Sequence, residues 1–243
     1  MKVEPVAYSV GGLNCKGQLV YDETIRTHRP LLLMAPNWLG ITPGAIEVAR
    51  MLAGDRYVVF MADMYGDGKQ PTGKENPMEF LASLMKDAGE TRRRIVAAFD
   101  TMTKEAERRD IGDAKRRAAI GYCFGGANVL DLARAGADAA AVVSMHGSLA
   151  SPMPAKRGDI KAAVLIVHGA ADPIAPKAER DAVEKEMDGA GARWAMLAWG
   201  GVVHAFTDEH ANRPGAAVYH EPTTRHGYTL AHNFIADAFA GKL

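Results

Sequence analysis

Cysteine is scarce in this chain, which has only Cys15 and Cys123 among 243 residues. A disulfide framework is thereby excluded, and a reducing, cytoplasmic setting is expected. Net charge is missing as well: 29 basic residues balance 29 acidic ones. Such a chain has no general electrostatic pull toward polyanions, so neither nucleic acid nor membrane is expected as a partner. The short clusters Arg92-Arg93-Arg94 and Lys115-Arg116-Arg117 sit among acids and read as solvated faces. No apolar run approaches the length of a membrane-spanning helix. Met1 to Val10 carries Glu4 and Pro5 without an apolar stretch and does not read as a secretory signal. Internal repeats, linkers and low-complexity tracts are lacking too. The histidines and cysteines show no zinc-ligand spacing, so no metal site is expected. Gly68 to Lys74 imitates a phosphate loop, but Glu75 stands where Ser or Thr is required and Pro71 removes a backbone donor.

What remains is an ordinary globular mixture, 48% hydrophobic and 24% charged, long enough to bury a sizeable core as a single domain over residues 1–243. After a β-rich start from Val3 to Tyr21, short apolar runs alternate with longer amphipathic segments. Strands are expected at Leu31 to Ala35, Tyr57 to Met61, Ala118 to Gly121, Ala140 to Met145, Ala163 to Val167 and Trp194 to Ala198. Helices are expected at Pro43 to Ala53, Pro77 to Thr103, Gly126 to Arg134, Pro176 to Asp188 and Thr224 to Phe239. Thr42-Pro43 and Asn76-Pro77 supply an N-cap with proline at the first helical position. This alternation predicts an α/β fold: a doubly wound, mostly parallel sheet with helices on both faces. His204 to Gly227 carries little periodicity and reads as a long loop over one end of the sheet.

Ligands in such folds sit beyond the carboxyl ends of the strands, which directs attention to Asn37, Trp38, Asp63 to Tyr65, Cys123, His146 and Asp172. Gly121-Tyr122-Cys123-Phe124-Gly125 has the G-x-C-x-G pattern of a nucleophile elbow, with cysteine in place of serine. A thiol near its reference pKa is only slightly ionised at neutral pH and needs a base, which in turn needs an orienting acid. Asp172 follows the run ending at Val167, and His204 follows the run ending at Ala198. The order Cys123, Asp172, His204 is that of the α/β-hydrolase triad, with Cys123 as nucleophile, His204 as base and Asp172 as its orienter. Oxyanion donors are expected at the backbone N–H groups of Phe124 and Trp38. Asn37, Tyr65, Met145 and His146 are candidates for the substrate pocket. Plain packing is the alternative for the aromatic and methionine side chains, and a hydrogen-bonded structural role is the alternative for His146 and His168. Cys15 reads as structural.

Together Gly121 to Gly126, Ser144 to Leu149, His168 to Pro173 and His204-Ala205-Phe206-Thr207 resemble the dienelactone hydrolase family, over roughly Leu31 to Phe239. The resemblance implies the α/β-hydrolase fold, carboxymethylenebutenolidase-type hydrolysis of small lactones or esters through a cysteine thioester, no cofactor, and a triad at Cys123, Asp172 and His204. A monomer or homodimer is expected. Two departures stand out. Asn37 occupies the place of the glutamate that engages the thiol in the family, which opens the alternative of a non-catalytic small-molecule binding protein on a hydrolase scaffold. Thr207-Asp208 offers no arginine for a substrate carboxylate, so dienelactone itself is not the expected substrate.

Overall fold

The computed structural model describes residues 1–71, 79, 81, 82, 84 and 86–243. The chain forms two compact units, Met1–Ala119 and Ile120–Leu243.

In the first unit, β1 (Lys2–Val10) and β2 (Leu13–Tyr21) form an antiparallel hairpin paired from Lys2↔Tyr21 to Val10↔Leu13, with Gly11-Gly12 as its turn. Cys15 lies in β2 and is 1% exposed, and burial, then the nearby Asp63 carboxylate, push its thiol up to about 11. A thiol so held stays protonated at neutral pH and serves as a small core residue. β2 pairs antiparallel with β4 (Val58–Met61), which pairs parallel with β3 (Arg29–Ala35). Buried along nearly their whole length, β3 and β4 read as unbroken apolar runs for that reason. Helix α1 (Pro43–Ala53) makes the crossover between them. Its N-cap Thr42 accepts a hydrogen bond from the N–H of Ala45 at 3.1 Å.

The next described helix, α2, spans Ala88–Arg109 and is capped by Asp87, which accepts from the N–H of Glu90 at 3.1 Å. A helix beginning at Pro77 was expected, but Asn76 and Pro77 lie outside the described residues, as do Thr72 to Glu75 of the phosphate-loop imitation. Asp87 with Glu90 three residues later carries the spacing of a capping box, the signal for this helix start. Strand β5 covers Gly112–Tyr122, longer than the apolar run alone, because Asp113 to Arg117 extend it with a more exposed, charged half.

The second unit contains β6 (Ala141–Met145), β7 (Ala163–Gly169) and β8 (Trp194–Trp199), parallel and paired in the order β6-β7-β8. Every residue of β6 and β7 is buried. Helices α3 (Phe124–Arg134) and α5 (Glu221–Phe239) pack on these strands, and α4 (Lys177–Ala190) connects β7 to β8. A buried ion network ties α3 to α4: Arg134 donates to both oxygens of Glu186 at 2.8 Å and to Asp131 at 3.1 Å. The segment expected as one loop from His204 to Gly227 is more ordered. It holds a short hairpin of β9 (Asn212–Arg213) and β10 (Ala217–Val218), and α5 begins at Glu221. Strands of two residues are too short to leave a periodicity, which is why the sequence hides them.

Candidate active site

Cys123 stands between β5 and α3, with φ 55° and ψ −116°, and the side chain takes no part in capping the helix that follows. A non-glycine residue held there costs roughly 1–3 kcal/mol and persists only where the surroundings dictate it. They do so on both sides. The N–H of Cys123 donates to the Met145 carbonyl at the end of β6 (3.1 Å), and its carbonyl accepts from Ala127 in the first turn of α3 (3.2 Å). The turn is so tight that a Cβ on Gly121 would overlap the carbonyl group of Gly125, so only glycine fits position 121. The helix begins at Phe124, two residues earlier than expected, so its positive end starts directly after the thiol.

Asp172 lies three residues beyond β7 and is 3% exposed. Its Oδ1 accepts from the N–H groups of Ile174 (2.8 Å) and Ala175 (3.3 Å), which fixes the carboxylate and leaves Oδ2 for His204 Nδ1 at 2.7 Å. The segments carrying the two residues approach closely. The N–H of Ala171 donates to the Val202 carbonyl at 2.9 Å, and a Cβ on Gly169 would stand 2.7 Å from the Val203 carbonyl oxygen. Beyond that point His204 exchanges backbone bonds with the hairpin, donating to Ala216 (3.2 Å) and accepting from Val218 (3.1 Å).

Burial of the His204 ring opposes its protonation. The Asp172 hydrogen bond and the neighbouring Cys123 thiol outweigh that cost and raise its pKa to about 9. Its Nε2 is buried without a direct hydrogen-bond partner among the described residues, while Cys123 acts on the ring. Cys123 itself is half-buried. The second unit therefore assembles all three members of the expected triad, with Phe124 providing the first backbone N–H after the thiol.

The other expected residues divide between the units. Asn37, Trp38 and Tyr65 belong to the first and form one cluster there. Asn37 Oδ1 accepts from the N–H of Leu39 (3.0 Å), and the Tyr65 hydroxyl donates to the Trp38 carbonyl (2.6 Å). Nearby, Asp63 accepts from the N–H groups of Lys16, Tyr65, Gly66 and Gly68 at 2.8–3.1 Å, so this carboxylate is a loop anchor. Asp67-Gly68 turn chemistry just after it was the available signal.

Met145 and His146 belong to the second unit. They are 0% and 2% exposed, so they support the site from within rather than offering surface to a ligand. His168 is buried and its Nε2 is 2.9 Å from the Ala175 carbonyl, in keeping with a structural histidine. His28, His210 and His226 are exposed, whereas His220 and His232 are half-buried. His220 caps α5, its Nδ1 accepting from the N–H of Thr223 at 3.3 Å. Thr207, read from the sequence only as part of the motif His204-Ala205-Phe206-Thr207, bonds to His146 at 2.7 Å. Among the described residues, no group of three His, Cys, Asp or Glu side chains is arranged to hold a metal ion, and no helix is long and apolar enough to cross a membrane.

A cysteine on a strained strand-to-helix turn, followed in chain order by an acid and a histidine at later strand ends, is the arrangement of the α/β-hydrolases. The family model for the dienelactone hydrolases matches residues 18–239, and the chain belongs to that family. A dienelactone hydrolase-like promiscuous phosphotriesterase from metagenomic libraries has the same fold, at 32% identity and a TM-score of 0.88 over 98% of both chains. A Salmonella typhimurium protein named "Putative carboxymethylenebutenolidase" is 24% identical over 221 residues, covering 88% of this chain and 78% of its own. The acylaminoacyl peptidase of Pyrococcus horikoshii shares the fold alone. Its identity is 11% and its TM-score 0.72, over 98% of this chain and 42% of its own.

Proposed function

We propose that this protein hydrolyses small lactone or carboxylic ester substrates through a thioester on Cys123. The observation that carries the reading is the Asp172–His204 pair, 2.7 Å apart and buried, acting on a thiol held at φ 55°. A histidine with its pKa raised to about 9 holds a proton at neutral pH that it can hand to a leaving group. The thiolate sulfur attacks the carbonyl carbon, and the oxyanion that forms meets the Phe124 N–H at the positive end of α3. The C–O bond breaks as His204 gives its proton to the leaving oxygen. Now neutral, His204 takes a proton from the attacking water. The C–S bond then breaks, giving the carboxylic acid, which releases its proton to water, and restoring the thiolate–imidazolium pair.

Dienelactone hydrolase membership and the Salmonella relative's name support this substrate class. The test is turnover of p-nitrophenyl acetate and a panel of small lactones, with acyl-Cys123 trapped by acid quench and located by mass spectrometry. Wild-type rates no better than those of Cys123→Ala across the panel would sink the proposal. Ligand binding without turnover would instead favour a binding role on this scaffold.

A further inference from the structure

Next to the triad sits a second histidine that the reaction does not use. His146 follows β6 and takes φ 40°, a left-handed conformation that only its surroundings can enforce. Its N–H donates to the Val167 carbonyl in β7 at 2.8 Å, which locks the turn. The ring then stands edge-on to His204, with centroids 5.2 Å apart and planes at 69°, and edge-on to Phe206 at 4.8 Å and 84°. Its Nε2 lies 2.7 Å from Thr207 Oγ1, so it grips the chain three residues beyond the base. The backbone between those two contacts is itself strained, with Ala205 at φ 56°, and the Phe206 carbonyl is fastened from the other side by the Thr224 hydroxyl at 2.6 Å.

We infer that His146 is a positioning residue for His204. Its ring contact and its hydrogen bond to Thr207 hold the 204–207 turn, and thereby the imidazole, in line with Asp172. The inference rests on the proposed catalytic role of His204 but concerns the geometry of that ring, which can be measured without turnover. Burial and then the positive potential of His204 hold the His146 pKa well below the ordinary imidazole value, so His146 remains neutral and presents no opposing charge to an imidazolium. The groups acting on the His204 ring are then Asp172, Cys123 and the two neutral histidines His146 and His168.

The experiment follows the His204 imidazole by NMR titration in the full-length wild type, His146→Phe and Thr207→Val, alongside kcat and KM on p-nitrophenyl acetate. His146→Phe keeps an aromatic ring and removes the hydrogen bond, while Thr207→Val removes it from the other side with a smaller change of shape. In both variants the His204 midpoint is expected to fall from about 9 toward the ordinary value as the Asp172 bond loosens, and kcat to fall by about 10–100-fold at little-changed KM. The double variant should be no worse than the poorer single one, since both remove one bond. A midpoint that stays near the wild-type value in folded Thr207→Val overturns the inference, whatever happens to kcat. A midpoint that moves in a protein with no turnover even as wild type supports the positioning role and refutes the hydrolase reading.

Discussion

Asp172 Oδ2 meets His204 Nδ1 at 2.7 Å across 32 residues of chain, and both residues are 3% exposed. The carboxylate's other oxygen is occupied by two backbone N–H groups, so it cannot turn away without leaving them unpaired. This pairing is where removal of one charge should be most visible. Asp172→Asn is expected to leave KM nearly unchanged and lower kcat by about 10⁴-fold, as an amide favours the wrong imidazole tautomer. Steady-state kinetics on an ester turned over by the wild type checks it.

The same pairing makes stability depend on pH. Because the folded His204 pKa of about 9 lies above the unfolded value of about 6.5, its contribution is fully present below pH 6.5 and is lost as pH rises through 9. His146 and His168 are depressed by burial, so the unfolded chain binds their protons first and stability falls as pH drops below 6.5. Urea unfolding from pH 5 to 10 should therefore give a maximum near neutrality. In Asp172→Asn the alkaline decline should flatten while the acid one remains.

Strain at Cys123 should appear as a difference between two variants that both lack the thiol. Cys123→Ala keeps a Cβ in the left-handed region, whereas Cys123→Gly does not. The glycine variant is expected to be more stable than the alanine variant by about 1 kcal/mol, despite glycine's greater chain entropy when unfolded. Equal melting temperatures would show that the turn stores no strain at this position.

Gly121→Ala is expected to destabilise the fold more severely than either change at Cys123. The added methyl group would occupy the Gly125 carbonyl, which is backbone and cannot rotate aside. A loss of about 3 kcal/mol or more, or insoluble protein on expression, is the anticipated result.

In the first unit, Asp63→Ala removes the acceptor for four backbone N–H groups. It should cost about 3 kcal/mol by urea unfolding, with Asp63→Asn intermediate because one oxygen remains.

The placement of Cys123, Asp172 and His204 was legible in the sequence because each lies a few residues past the end of an apolar run and the three chain positions agree with one known order. Glycine at 121 was legible for a steric reason that the structure bears out. The support around the triad was not. His146 and Thr207 are separated by 61 residues, and nothing local marks either as the other's partner. Asp63 looked reactive because a carboxylate after a strand can be catalytic. Only the four N–H groups converging on it show that its charge is spent on the loop. The β9–β10 hairpin escaped because its strands are held by pairing to each other and to His204 rather than by an alternating apolar face.

That hairpin has an evolutionary consequence. His204 is bonded to Ala216 and Val218, so the chain that leaves the base at Ala205 returns to it within a dozen residues. The intervening stretch is a closed excursion whose ends are fixed to each other. Lengthening such a loop costs free energy only logarithmically. Residues 208–215 can thus diverge in length and composition while the backbone of His204 keeps its place, so long as Ala216 and Val218 still reach it.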